Sequence, residues 1–254
     1  MIDSNWFYLA AVPAVLIVGI SKGGFGGGLG VAGVPIMALA VAPPRAAAIM
    51  LPILCIMDLF SLYAWRGQWD RRNGIILIPA ALIGIAAGTA MFRHLNVDVL
   101  RVFIGLIAVL FVVYHAARAR LAARPARGPG WGRGTFWGAI AGLTSFVAHA
   151  GGPPVTMYLL PQRLDRGVYQ ATTVIVFVAI NYMKLGPYWW LGQFTTENLT
   201  TSLVLAPLAP LGIWLGVWLH RRVTDKAFYA LILVALVATG GKLIWDGMHG
   251  LLPA

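Results

Sequence analysis

The sequence predicts an all-α polytopic membrane protein made of two inverted repeats, each a short broken-helix hairpin followed by three transmembrane helices. Three observations carry that prediction. Of 254 residues, 59% are hydrophobic and only 11% charged, with a mean hydropathy of +0.80, whereas soluble domains carry about a quarter charged residues. Several apolar runs approach or exceed the roughly 20 residues that cross a bilayer core. A glycine-rich interruption, Ser21-Lys22-Gly23-Gly24-Phe25-Gly26-Gly27-Gly28, also has a counterpart in the second half, Thr144-Ser145-Phe146-Val147-Ala148-His149-Ala150-Gly151-Gly152-Pro153-Pro154. Interrupted apolar segments at matching positions of two halves point to a transporter's binding site.

The first half holds apolar elements at 6–20, 29–41, 46–64, 73–92 and 97–117, and the second at 135–150, 153–161, 167–185, 198–219 and 226–245. Element 6–20 spans about 22 Å as a helix at 1.5 Å per residue, short of the roughly 30 Å core. It lacks a basic leader, so a cleaved signal peptide is not expected. The second element of each half is shorter still. Each pair therefore reads as a hairpin of half-helices with the glycine-rich stretch at its tip, tolerable at membrane depth only if buried in protein or lining a wet cavity. The remaining elements are long enough to span. Residues 1–117 form the first repeat, 118–133 an arginine-rich linker with glycine and proline, and 134–254 the second repeat.

Residue matches keep their order across the halves. Trp65-Arg66-Gly67-Gln68-Trp69 parallels Trp190-Leu191-Gly192-Gln193-Phe194, and Gly84-Ile85-Ala86-Ala87-Gly88 parallels Gly212-Ile213-Trp214-Leu215-Gly216. Charge then orients the repeats. If each hairpin returns to its own side, Arg66, Arg71, Arg72, the linker arginines, Arg163, Arg166, Arg221, Arg222 and Lys226 share one face. Arg45, Arg93, Arg101, Lys184 and Lys242 then fall toward the other. Parallel halves give a nearly even split, so the positive-inside rule favours inversion, with both termini outside and the linker in the cytoplasm. The net charge of +11 is thereby explained by orientation in the membrane, without nucleic acid. The single cysteine, Cys55, excludes an intramolecular disulfide.

This pattern resembles the TauE/SafE sulfite exporter family. The resemblance rests on Gly26-Gly27-Gly28, then Val34-Pro35, then Pro43-Pro44-Arg45-Ala46-Ala47-Ala48. It continues with the turn Gly67-Gln68-Trp69-Asp70, the Gly84–Gly88 helix, and the helix from Val97 to Tyr114. It covers essentially the whole chain, through the order of its motifs. It implies a multi-pass protein of a bacterial-type cytoplasmic (inner) membrane that exports or takes up small sulfur-containing anions such as sulfite or organosulfonates. His149-Ala150-Gly151-Gly152-Pro153-Pro154 departs from the family's longer glycine run, and Lys22 is not part of that pattern.

An oxyanion in a low-dielectric site needs hydrogen-bond donors and positive charge. Half-helices starting at residues 28–34 and 151–155 would offer unpaired N–H groups and the positive end of a dipole. Gly26, Gly27, Gly28, Gly151 and Gly152 would let an anion approach the backbone. Lys22 either binds the substrate or pairs with Asp58, since charge at mid-membrane is expensive and usually functional. Ser21, Thr144 and Ser145 either add hydroxyl donors or bond back to their own helices. His149 suits proton coupling or a backbone-satisfied core position. Asp58 and Asn181 occupy near-equivalent positions of the two repeats; Asp58 could balance Lys22 or carry a proton, and Asn181 could face the substrate. Lys184 reads as the outer mouth of the cavity or an interfacial anchor, with Trp65, Trp69, Tyr188, Trp189 and Trp190 as an aromatic belt.

Rival classes are weaker. The scattered histidines offer no metal-ligand spacing, and no cofactor is expected. Ser145 and His149, four apart, make only a weak hydrolase dyad. An anion channel of the same fold is the closer alternative to a carrier.

Overall fold

The computed structural model describes residues 5–24, 28–65, 69–92, 96–122, 127–220 and 225–252, with Ile2, Gly67 and His94. It is 86% helical, and no strand occurs among the described residues. The first half comprises α1 (Asn5–Gly24), a 3-10 turn (Gly28–Ala32) leading into the short α2 (Gly33–Met37), α3 (Pro43–Ala64), α4 (Arg71–Phe92) and α5 (Val97–Ala122). The second comprises α6 (Trp131–Ala148), α7 (Gly152–Leu159) with a 3-10 extension (Leu160–Gln162), α8 (Arg166–Trp190), α9 (Thr196–Leu205), α10 (Leu208–His220) and α11 (Asp225–Leu251). Six described segments are long and apolar enough to cross a membrane: Asn5–Gly24, Pro43–Ala64, Arg71–Phe92, Val97–Ala117, Arg166–Trp190 and Thr196–Leu219.

Helix boundaries follow local chemistry. Pro43 and Pro44 open α3 at positions where a missing N–H is harmless. Asp165 caps α8 by accepting from the Gly167 N–H at 3.0 Å, and Thr195 caps α9 through Asn198 N–H at 3.2 Å. The single element expected at 198–219 is instead two helices. Pro207 has no N–H, and its ring opposes the carbonyl four residues back; α9 therefore ends as Ala206 N–H turns to Leu203 O at 3.2 Å. The expected linker is also shorter at both ends: α5 runs on through Ala122 and α6 starts at Trp131.

Both hairpins are visible in their contacts. In the second, Gly151 lies against Ala141 and Ser145, while Tyr158 lies beside Gly134 and its hydroxyl accepts from Gly130 N–H at 3.3 Å. Arg127 N–H reaches Pro161 O at 3.0 Å, so the hairpin ends beside its own beginning. In the first, Gly33 folds back against Val18 of α1.

The halves are interlocked. α4 of the first half packs on α6 of the second, and α10 of the second packs on α1 of the first. These two interfaces use the same device. A Cβ on Gly84 would collide with the Ala139 carbonyl and Leu143 N, and one on Gly212 would press on Gly19 and the Leu16 carbonyl, so glycine permits backbone-to-backbone approach. Both pairs run parallel: Gly134, Gly142 and Phe146 meet Ile76, Ala81 and Gly88 in rising order, as Gly19 and Ile20 meet Gly212 and Gly216. α5 packs on α11. There Gly247 lies against Asp98 and Val102 while Gly240 lies against Gly105 and Ala108, so this pair is antiparallel. Outward faces carry exposed apolar side chains such as Leu110, Val113, Leu203, Trp214 and Val234, the pattern of a protein solvated by lipid.

Candidate functional site

The polar interior lies where the tips of the broken hairpins meet α3 and α8. α8 supplies a stripe at helical spacing, Gln170, Thr173, Asn181, Lys184 and Tyr188, all buried. Gln170 donates from Nε2 to Lys22 O at 3.2 Å, tying α8 to the end of α1. Lys22, in the last turn of α1, forms an ion pair with Asp58 of α3. Asn181 Nδ2 donates to the other Asp58 oxygen at 2.7 Å. The carboxylate thus joins the two halves of the chain, with its side chain 1% exposed and that of Lys22 11% exposed.

One turn further along α8 lies a second cluster. Lys184 Nζ donates to Ser145 O at 3.1 Å and Ser145 Oγ at 3.0 Å, and contacts His149 Nδ1 at 2.7 Å. His149 Nε2 lies 2.9 Å from Ala47 O of α3. If Lys184 is an ammonium its three donors are all used, Nδ1 accepts, and the histidine proton sits on Nε2 facing the Ala47 carbonyl. His149 caps α6 in the left-handed conformation, φ 51°, a region that costs a non-glycine residue of order 1–3 kcal/mol. Its N–H closes α6 onto Ser145 O at 3.0 Å, the αL form of helix termination. Glycine would satisfy that backbone more easily, but only a side chain can bridge Lys184 and α3. Tyr188 supports the arrangement, donating to Phe146 O at 2.6 Å and stacking on His149 with centroids 6.2 Å apart.

The structure sorts the residues singled out from sequence. Lys22, Asp58 and Asn181 come together in one group, and Ser145 and His149 in the adjoining one. Ser21 is fully buried beside Lys22 on α1. Thr144 is committed to backbone, its hydroxyl 2.8 Å from Ile140 O and 3.0 Å from Ala150 O; it closes the break. Gly151 and Gly152 are buried, and a Cβ on Gly151 would press on Ala141 O and the Phe177 ring, so close packing already calls for glycine there. Gly28 opens the 3-10 turn; Gly26 and Gly27 lie outside the described residues. α2, starting at Gly33, is only five residues long. The hydrolase dyad is not formed: both ring nitrogens of His149 face Lys184 and Ala47, and Ser145 Oγ accepts from Lys184. Among the described residues no three His, Cys, Asp or Glu side chains gather as metal ligands.

Two expectations are corrected. Lys184 is neither at a cavity mouth nor an interfacial anchor, because it is completely buried. Tyr188 is likewise a core residue at 1% exposure, unlike its belt-like neighbours Trp189 at 73% and Trp190 at 61%. Lys184 is the residue whose place the sequence reading mistook. The available signal was the polar stripe on α8, which places it on the same face as Asn181.

Interlocked halves, interrupted hairpins and a charged cluster buried within an apolar-surfaced shell define a multi-pass membrane protein of transporter type. The family model for the sulfite exporter TauE/SafE matches residues 11–243. The chain belongs to the TauE/SafE sulfite exporter family. No curated protein matches it, and no solved structure does.

Proposed function

We propose that this protein is a secondary transporter that exports small sulfur-containing anions, such as sulfite or organosulfonates, across the cytoplasmic membrane. Substrate is taken at mid-membrane between the two repeat breaks and released by alternating access of inverted repeats. The observation that carries this reading is the buried cluster of Lys22, Asp58, Asn181, Ser145, His149 and Lys184. It is drawn from both repeats and holds two lysines against one carboxylate. The antiparallel run of α5 against α11 supports inversion, since parallel halves would make these counterparts run the same way. Complete burial of Asp58 and Lys184 favours a carrier with an occluded state over an open anion channel. His149 and Asp58 are the groups positioned to couple transport to protons. The arginine-rich linker lies in the cytoplasm and both termini outside.

The test is transport by purified protein in proteoliposomes, with sulfite, thiosulfate, sulfoacetate, taurine, sulfate and a carboxylate control. Saturable flux of a sulfur anion, accelerated by the same anion on the opposite side and lost in Lys22→Ala, is the expected result. Non-saturating flux without counter-transport would make it a channel. No movement of any sulfur anion would end the substrate reading.

A further inference from the structure

We propose that Lys184 is the group that holds the substrate's charge, and that the site therefore prefers a single negative charge over two. This rests on the transport reading above and deepens it. The argument begins with which buried charges are already neutralised. Lys22 and Asp58 answer each other, and the second carboxylate oxygen is taken by Asn181. Lys184 is completely buried, and all its contacts are uncharged groups: a backbone carbonyl, a hydroxyl and the Nδ1 of His149. Among the described residues it joins no ion pair, whereas Arg45, Arg101 and Lys242 each face a carboxylate at the surface.

With Lys184 protonated, the interior holds Lys22, Asp58 and Lys184 with one positive charge uncompensated. A cation buried without a counter-ion is strongly unfavourable, and in a membrane interior such a charge is retained where it serves a pathway. Capping the last carbonyls of α6 explains a donor at this place, but not a charged one, since a neutral amide could fill that role. An anionic headgroup entering beside the α6–α7 break completes the balance when it carries one negative charge. A dianion leaves the interior negative. The three present partners of Lys184 are the contacts a substrate oxygen exchanges with.

The measurement is the thermal shift of detergent-purified full-length protein, titrated with sodium methanesulfonate, sulfite, acetate and sulfate at constant ionic strength set with gluconate. Wild type is expected to show a saturable shift with methanesulfonate that sulfate does not match. Lys184→Met should raise the half-saturating concentration about thirtyfold or more, the equivalent of about 2 kcal/mol for truncating one partner of a buried charge pair. Lys184→Arg should retain part of the response, and Lys242→Met, which removes an exposed lysine, all of it. A methanesulfonate response that survives Lys184→Met, or is lost equally in Lys242→Met, overturns the proposal, and so does a sulfate response equal to methanesulfonate in wild type. That last comparison needs no variant to fold. If acetate acts like methanesulfonate and both need Lys184, this inference stands while sulfur selectivity falls. If sulfite and methanesulfonate act equally on wild type and Lys184→Met, the transport reading stands and this inference falls. If no anion shifts wild type, both fall.

Discussion

Replacing Asp58 by asparagine removes a charge without changing shape, and the structure sets the size of the effect. The Asp58 side chain is 1% exposed and that of Lys22 11%, so solvent screens this pair little, unlike an exposed one. The neutral amide leaves two buried lysines with no carboxylate between them. Breaking a buried pair from one side costs about 3–5 kcal/mol. Removing both partners, in Lys22→Met/Asp58→Asn, leaves no orphaned charge in the pair and should cost less than the single change by about 2 kcal/mol or more. The assay is a double-mutant cycle on unfolding by SDS in mixed micelles, followed by tryptophan fluorescence. The expected signature is a double variant more stable than Asp58→Asn alone. If the two single changes instead add, or if Asp58→Asn costs under about 1 kcal/mol as an exposed pair would, the buried pair does not exist as described.

Other predictions follow from packing and topology. Gly84→Ala and Gly212→Ala should each destabilise by about 1–3 kcal/mol in the same unfolding assay, because the added methyl meets backbone that cannot yield. Gly241→Ala, whose Cβ would meet nothing within 4 Å, should be neutral or stabilising by up to about 1 kcal/mol from helix propensity. Tyr188→Phe should cost about 1–3 kcal/mol by orphaning the Phe146 carbonyl; an unchanged melting temperature would refute the bond. In a Cys55→Ala background, Gly128→Cys should react with an impermeant maleimide only from the cytoplasmic side and Leu251→Cys only from outside. Labelling of both from one side would overturn the inverted arrangement.

Much of this fold was legible because each element answers to one strong, local signal. Apolar runs long enough to span gave α3, α4, α5 and α8, and the glycine-rich interruptions gave the hairpins, although α1 over Asn5–Gly24 is long enough to cross where 6–20 read as too short. The break at Ala206–Pro207 was hidden because hydropathy stays high through it, and only the proline marks the end of α9. The site was legible as a neighbourhood more than as a set of roles. Lys22 and Asp58 stand out as charges inside apolar runs, but Lys184 sits near Tyr188-Trp189-Trp190, where a lysine usually anchors at an interface. Whether such a side chain turns inward depends on helix rotation, which packing decides. Likewise Thr144 and Gly151 resemble ligand-facing residues in a one-dimensional reading, and three-dimensional contacts assign them to closing and packing the break.

The reciprocal grip of α1 on α10 and of α4 on α6 has a consequence for biosynthesis. α1 reaches its close-packed neighbour only after the polypeptide through α10 has been made. Until then, the glycine face of α1 has only lipid or the insertion machinery against it. The first half cannot finish maturing by itself: its completed state requires the second half.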